Sequence, residues 1–185
     1  MAVLKRHASL CVWLIMLCSF GAPASSAAAP TEYQVKAVFL FNFAQFVEWP
    51  PSVFKSPDTP FVIGVLGRDP FGSDLDAVVR GERVEQRSMV VERYRTVSEV
   101  QNCNILYIGR TAIGDLPQIL TALKGRSVLT VSDADGADQS GVMIRLVNQN
   151  NRIRLQIDVA AAKAGSLTIS SKLLRPAEIV GGGEG

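Results

Sequence analysis

The residues best able to do chemistry in this chain are few, and most fail once their spacing is tested. Ser52-Val53-Phe54-Lys55 matches S-x-x-K, in which a lysine activates a serine for acyl transfer, and Ser132-Asp133 offers two letters of the companion S-D-N. Ala134 stands where the asparagine is needed, no K-T-G triplet exists, and the chain is too short for that fold. Asp133-Ala134-Asp135-Gly136-Ala137-Asp138 invites a calcium loop. An EF-hand needs glycine at its sixth position and a bidentate glutamate at its twelfth; here the glycine is fourth and the twelfth residue is Ile144. The run is a solvated acidic loop. Gly64, Gly67 and Gly72 do not form G-x-G-x-x-G, and no acidic residue completes a ribose contact. Even so, the segment Gly67 to Gly72 follows the first core strand, where doubly wound sheets place ligands. Gly67, Asp69 and Gly72, with Ser132 and Asp133 of the loop running to Asp138, are therefore the candidate lining of a small-molecule crevice.

Imidazole and thiol chemistry is confined almost entirely to the first 29 residues. Lys5 and Arg6 precede the apolar run Ala8 to Phe20, and Gly21 to Ala29 supplies small residues, the three-part pattern of a cleavable secretory leader. The run is shorter than the ~20 apolar residues of a membrane span, and Cys18 lacks the small residues that precede a lipid-modified cysteine. Cleavage is expected after Ala24, Ala27 or Ala28, directing the chain to the periplasm with no further membrane insertion. His7, Cys11 and Cys18 leave with the leader, so the exported chain keeps no histidine and the single thiol Cys103. Serine and cysteine triads then lack their base, a structural zinc site lacks its ligands, and an intramolecular disulfide is excluded. No catalytic residue, metal or cofactor is expected. Cys103 opens the apolar run Ile105 to Ile108, which favours burial at a strand start over an intermolecular bridge.

Losing Lys5 and Arg6 leaves 17 basic against 17 acidic residues, so the exported chain is formally neutral. Arg80, Arg83, Arg87, Arg93 and Arg95 are interleaved with Glu82, Glu85 and Glu92, a mixed-charge solvated face rather than the basic stripe that nucleic acid requires.

The elements that must position these residues follow from periodicity and punctuation. Glu32 to Trp49 is expected as a helix, capped by Thr31 and stopped by Pro50-Pro51. Phe61 to Leu66 is an apolar run bounded by Pro60 and Gly67, hence a strand buried on both faces. Asp69 is the expected N-cap and Pro70 the first turn of a helix to Arg80. Strands around Met89 to Val91, Asn104 to Ile108 and Ser127 to Val131 follow, with a helix around Pro117 to Leu123 between the last two. Val142 to Val147 and Ile153 to Val159 flank Asn148 to Arg152 as a hairpin. A short helix over Ala160 to Ala164 and a last one capped by Ser170 or Ser171, broken at Pro176, complete the chain. The fold class is α/β: one compact domain over residues 30–180, a mostly parallel sheet with helices on both faces in a Rossmann-like manner. The hairpin lies at or near the sheet edge, and residues 181–185 form a flexible tail.

Two apolar surfaces are candidate contacts with a partner or a second copy. Val38 and Phe41 share the polar side of the first helix with Gln34, Asn42, Gln45 and Glu48. Met143, Ile144, Ile153, Leu155 and Ile157 lie on the hairpin. For each residue, packing inside the domain is the competing explanation.

Several ordered segments together resemble one family. They are Tyr33 to Phe43 with Val47-Glu48-Trp49-Pro50, Ile63 to Gly67 with Asp69-Pro70-Phe71-Gly72, and Cys103 to Ile108. Val128 to Asp133, Gly141 to Ile144 and Ile169 to Leu174 complete the set. This is similar to the YfiR-like family of small periplasmic proteins, from about Glu32 to Val180. The resemblance implies a compact α/β domain that tends to form homodimers. It also implies a periplasmic repressor that binds the periplasmic domain of a membrane-anchored diguanylate cyclase, thereby controlling cyclic di-GMP and biofilm formation. The resemblance further implies that members of this kind can carry disulfides that make repression redox-sensitive; here Cys103 keeps one such position and no second exported cysteine exists. The alternative function is a periplasmic small-molecule sensor using the crevice at Gly67 to Gly72 and Ser132 to Asp138.

Overall fold

The computed structural model describes residues 29–135, 137 and 141–181. The expected leader up to Ala28, most of the tail, Gly136 and Asp138 lie outside the described residues. Helix α1 (Glu32–Phe46) begins with a reciprocal capping box: the Gln34 N–H donates to Thr31 Oγ1 and the Thr31 N–H to Gln34 Oε1. The helix ends earlier than its apolar pattern, because Val47 and Glu48 leave it to form β1 (Val47–Glu48). Next come β2 (Phe61–Leu66), α2 (Ser73–Val79), β3 (Arg83–Val84), β4 (Arg87–Tyr94), β5 (Ile105–Ile108), α3 (Leu116–Leu123) and β6 (Leu129–Ser132). The hairpin strands are β7 (Ile144–Gln149) and β8 (Arg152–Asp158), followed by α4 (Val159–Ala164), β9 (Thr168–Ile169), α5 (Ser171–Leu174) and β10 (Glu178–Val180).

Eight strands form one mixed sheet in the order β10-β8-β7-β6-β5-β2-β4-β3. The run β4-β2-β5-β6-β7 is parallel throughout, while β3 pairs antiparallel with β4 and β8 with β7. The parallel centre is as expected, but antiparallel pairings flank it, so the sheet as a whole is mixed rather than purely parallel. The hairpin turn is Asn150-Asn151, both with positive φ of 52° and 60°. Asparagine tolerates this conformation better than most residues, and two in succession match the right-handed strand twist. The hairpin lies one strand in from the edge, because β10 adds parallel to β8 outside it. No local pattern announced β10, β1 or β9; the last two pair antiparallel as a separate two-stranded clip.

Alternation along the strands divides the core in two. Ile63, Val65, Ile105 and Tyr107 face α1, α2, α4 and α5, where Ala37, Leu40, Phe43 and Leu75 are fully buried. Leu66, Leu106 and Ile108 face α3 with Leu116, Ile119 and Leu123. Helices thus cover both faces of the parallel centre. Ser170 caps α5, which stops at Leu174 before Pro176.

Candidate functional site

The parallel strands β2, β5 and β6 end side by side, and their outgoing loops diverge. From β2 the chain crosses to β4 on one side, while β5 and β6 lie on the other. A sheet that winds in both directions opens a crevice at that point, beyond the carboxyl ends of the strands. Here it is lined by Arg68 and Pro70 from the loop after β2, Tyr107 from β5, Arg110 and Thr111 from the loop after β5, and Tyr33 from α1, around a cavity of about 220 Å³. Gly67 makes the crossing feasible. Its φ is +87°, and a Cβ there would sit 2.8 Å from Thr111 Oγ1. That oxygen accepts the Arg68 N–H at 2.9 Å, joining the two loops. Edge-on ring contacts, Tyr33 to Phe71 and Phe71 to Tyr107, set the inner wall.

Behind the crevice lies a buried charge cluster centred on Asp133, the first residue after β6. Its Oδ1 accepts the Tyr107 hydroxyl at 2.6 Å, and Oδ2 accepts Lys36 Nζ at 2.5 Å, the Tyr33 hydroxyl at 3.0 Å and Arg110 Nη2 at 3.4 Å. Lys36 reaches it from α1, 1% exposed, and also donates to Glu32. Glu32 in turn accepts from Asn148 Nδ2 at 2.6 Å, so the cluster ties the first helix to the hairpin. Burial pushes the Asp133 carboxyl upward, but the hydrogen bonds from Lys36 and Tyr107 outweigh it and hold the group below its ordinary value of 3.8. Lys36 likewise holds Glu32 below 4.5. Burial and the neighbouring carboxylate raise the Tyr107 and Tyr33 hydroxyls, which remain donors. Ser132 is spent structurally: its hydroxyl donates to the Ile108 carbonyl and accepts the Ala134 N–H.

The sign of the resulting acid sensitivity follows directly. Two carboxyls that bind protons less readily when folded add stability above their unfolded pKa values and lose it as pH falls through the folded ones. The urea midpoint is expected to hold from pH 7 to about pH 5 and to fall steeply below about pH 4. Asp133→Asn should flatten that acid limb; an unchanged limb would remove the cluster as its source.

The crevice residues expected from sequence divide into two groups. Gly67, Ser132 and Asp133 lie at the carboxyl ends of β2 and β6, but none of them lines the cavity. Asp69 and Gly72 instead belong to a clamp on the outer side of the loop. Asp69 Oδ1 accepts the Phe71 N–H, while Arg93 binds Asp69 Oδ2, the Gly72 carbonyl and both oxygens of Asp76. Asp69 therefore does not cap α2, whose N-cap is Gly72. Lys36, Tyr33, Tyr107, Arg68 and Arg110 were not foreseen as site residues. Lys36 alone carried a signal, since it shares the helical stripe of Leu40 and Phe43.

The apolar contact candidates also separate. Val38 is 46% exposed, at the rim of a groove between α1 and α2 that holds about 380 Å³ and is floored by Val35, Ala77 and Val78. Phe41, Met143 and Ile153 are half-buried against the core. Ile144, Leu155 and Ile157 are a correction: all three are buried within the domain, because the inward face of β7 and β8 is covered by helices. They offer nothing to a partner. Cys103 is 5% exposed, its Sγ donating to the Ile105 carbonyl, and burial pushes the thiol up to about 12. It is a protonated core residue at neutral pH. Ser52 and Lys55 are both exposed on the surface turn before β2.

Among the described residues, no helix is long and apolar enough to cross a membrane. No curated protein matches the chain in sequence. A family model described as YfiR/HmsC-like does, over residues 33–178. That span opens at Tyr33 of the crevice wall and closes at Glu178, the first residue of the edge strand, taking in β1 to β9, Lys36 and Asp133, and both loops of the switch point. The chain therefore belongs to the YfiR/HmsC-like family.

Proposed function

We propose that this protein is a non-catalytic periplasmic regulator of cyclic di-GMP signalling. In this reading it is exported by residues 1–29 and represses a membrane-anchored diguanylate cyclase by occupying its periplasmic domain. The observation that carries the reading is family membership across nearly the whole globular chain. The site chemistry is consistent with it: the Asp133 carboxylate, Ser132 hydroxyl and Cys103 thiol are all engaged inside the fold. Repression by contact needs an exposed surface instead, and the α1–α2 groove with Val38 at its rim is the apolar surface we assign to self-association or to the cyclase.

Affinity capture from envelope extracts with the exported chain as bait should recover a membrane protein carrying a cyclase domain. Recovery of none sinks the reading. Val38→Glu should leave stability within about 0.5 kcal/mol, as exposed substitutions do, while weakening dimerisation or cyclase capture about tenfold or more. Unchanged dimerisation and capture would remove this groove from the interface.

A further inference from the structure

We propose that the switch-point crevice is a binding site for a small organic oxyanion, a carboxylate or a phosphate, gripped by Arg68 and Arg110. Four observations lead there. The cavity of about 220 Å³ lies below the ~300–1,000 Å³ typical of drug-sized pockets, so only a small molecule fits. Its mouth carries two arginines, one on each of the diverging loops. Among the described residues, the Arg68 guanidinium has no hydrogen-bond or ion-pair partner, although its backbone is fixed by Thr111. Arg110 is 62% exposed and touches Asp133 only at 3.4 Å, a long contact it can give up or share.

The fourth observation decides the sign of the ligand. Asp133 is the acidic group at this site, and its two oxygens already accept four donors, from Tyr107, Lys36, Tyr33 and Arg110. Its side chain is 1% exposed, so it is not presented to a cation or an amine at the mouth. Lys36 is taken up by two carboxylates, so the charge left over at the mouth is positive and comes from Arg68. Two planar guanidiniums lining one cavity suit the two or three oxygens of a carboxylate or phosphate. The ring of Tyr33 and the Pro70 ring supply apolar wall for whatever carries them. Arg93 acts at one remove, as a positioning residue: its clamp on Asp69, Asp76 and the Gly72 carbonyl holds the loop that presents Arg68.

This inference stands apart from the partner reading, since it is read on the isolated protein. The leaderless chain is titrated with inorganic phosphate, phenyl phosphate and benzoate at constant ionic strength and followed by amide chemical shifts. At least one probe should give saturable shifts centred on Arg68, Arg110 and Thr111. Arg68→Gln should weaken it about tenfold or more, and Arg68→Gln with Arg110→Gln should abolish it. Saturation by the phosphates alone identifies a phosphate site, and by benzoate alone a carboxylate site. Non-saturating shifts with all three probes, or shifts unchanged in Arg68→Gln, overturn the proposal. Arg68 is exposed and unpaired, so that single variant remains informative even where Arg110→Gln disturbs Asp133.

Discussion

Lys36→Met is expected to cost about 3–5 kcal/mol of folding stability, the range seen when one partner of a buried ion pair is removed. Methionine preserves the length of the side chain, so little of the loss is cavity. The cost comes from Asp133, whose side chain is 1% exposed and would retain only two tyrosine hydroxyls and a distant, largely solvated Arg110. For a domain of this size, with about 2–4 °C of Tm per kcal/mol, the midpoint should fall by roughly 6–20 °C. Lys36→Met combined with Asp133→Asn removes the orphaned charge but keeps an acceptor for Tyr107, and should recover much of the loss. A single-variant loss below about 1 kcal/mol would mean that water reaches the pair, at the value of a surface salt bridge.

Gly64→Ala is the second large effect, expected at about 2–3 kcal/mol, the upper part of the range for overpacking. Gly64 lies in the middle of β2, between β4 and β5. A Cβ there would come within 2.6 Å of Tyr94 Cε2, 2.8 Å of Cys103 Sγ and 3.1 Å of Leu106 Cδ1. Strand propensity alone favours alanine over glycine, on a scale that spans only ~1 kcal/mol, so the steric term wins. Adding Cys103→Ala removes one of the three clashing atoms. The double variant should therefore be less destabilised than the sum of the two singles, by a coupling of at least ~0.5 kcal/mol in urea unfolding. Simple additivity would show that β2 shifts to make room.

What was legible beforehand tracks how local the cause is. The capping box at Thr31, the apolar run of β2 between Pro60 and Gly67, and the Asn150-Asn151 turn all rest on neighbours in sequence, and each gives the element expected. Apolar periodicity runs on past the end of α1 through Val47 and Trp49, while the reason to stop is a strand more than a hundred residues later. The loop after β2 stands out on topological grounds, and the cavity beside it is lined in part by other side chains. Asp69 and Gly72 drew notice for their types, yet they serve Arg93. Exposed arginines such as Arg68 and Arg110 are common, and nothing adjacent marks these two as lining the same cavity. Lys36 and Asp133 lie 97 positions apart; their pairing exists only once the sheet does.

The small clip between β1 and β9 has a consequence for the order of folding. Val47 pairs with Ile169 and Glu48 with Thr168, while the Ser170 N–H donates to the Phe46 carbonyl at the end of the first helix. The end of α1 cannot take this strand partner until residues 168–170 have been synthesised. Ribosomes add about 5–20 residues per second, so the amino-terminal third waits several seconds for its final partner. Contacts of such long range slow the closing step further.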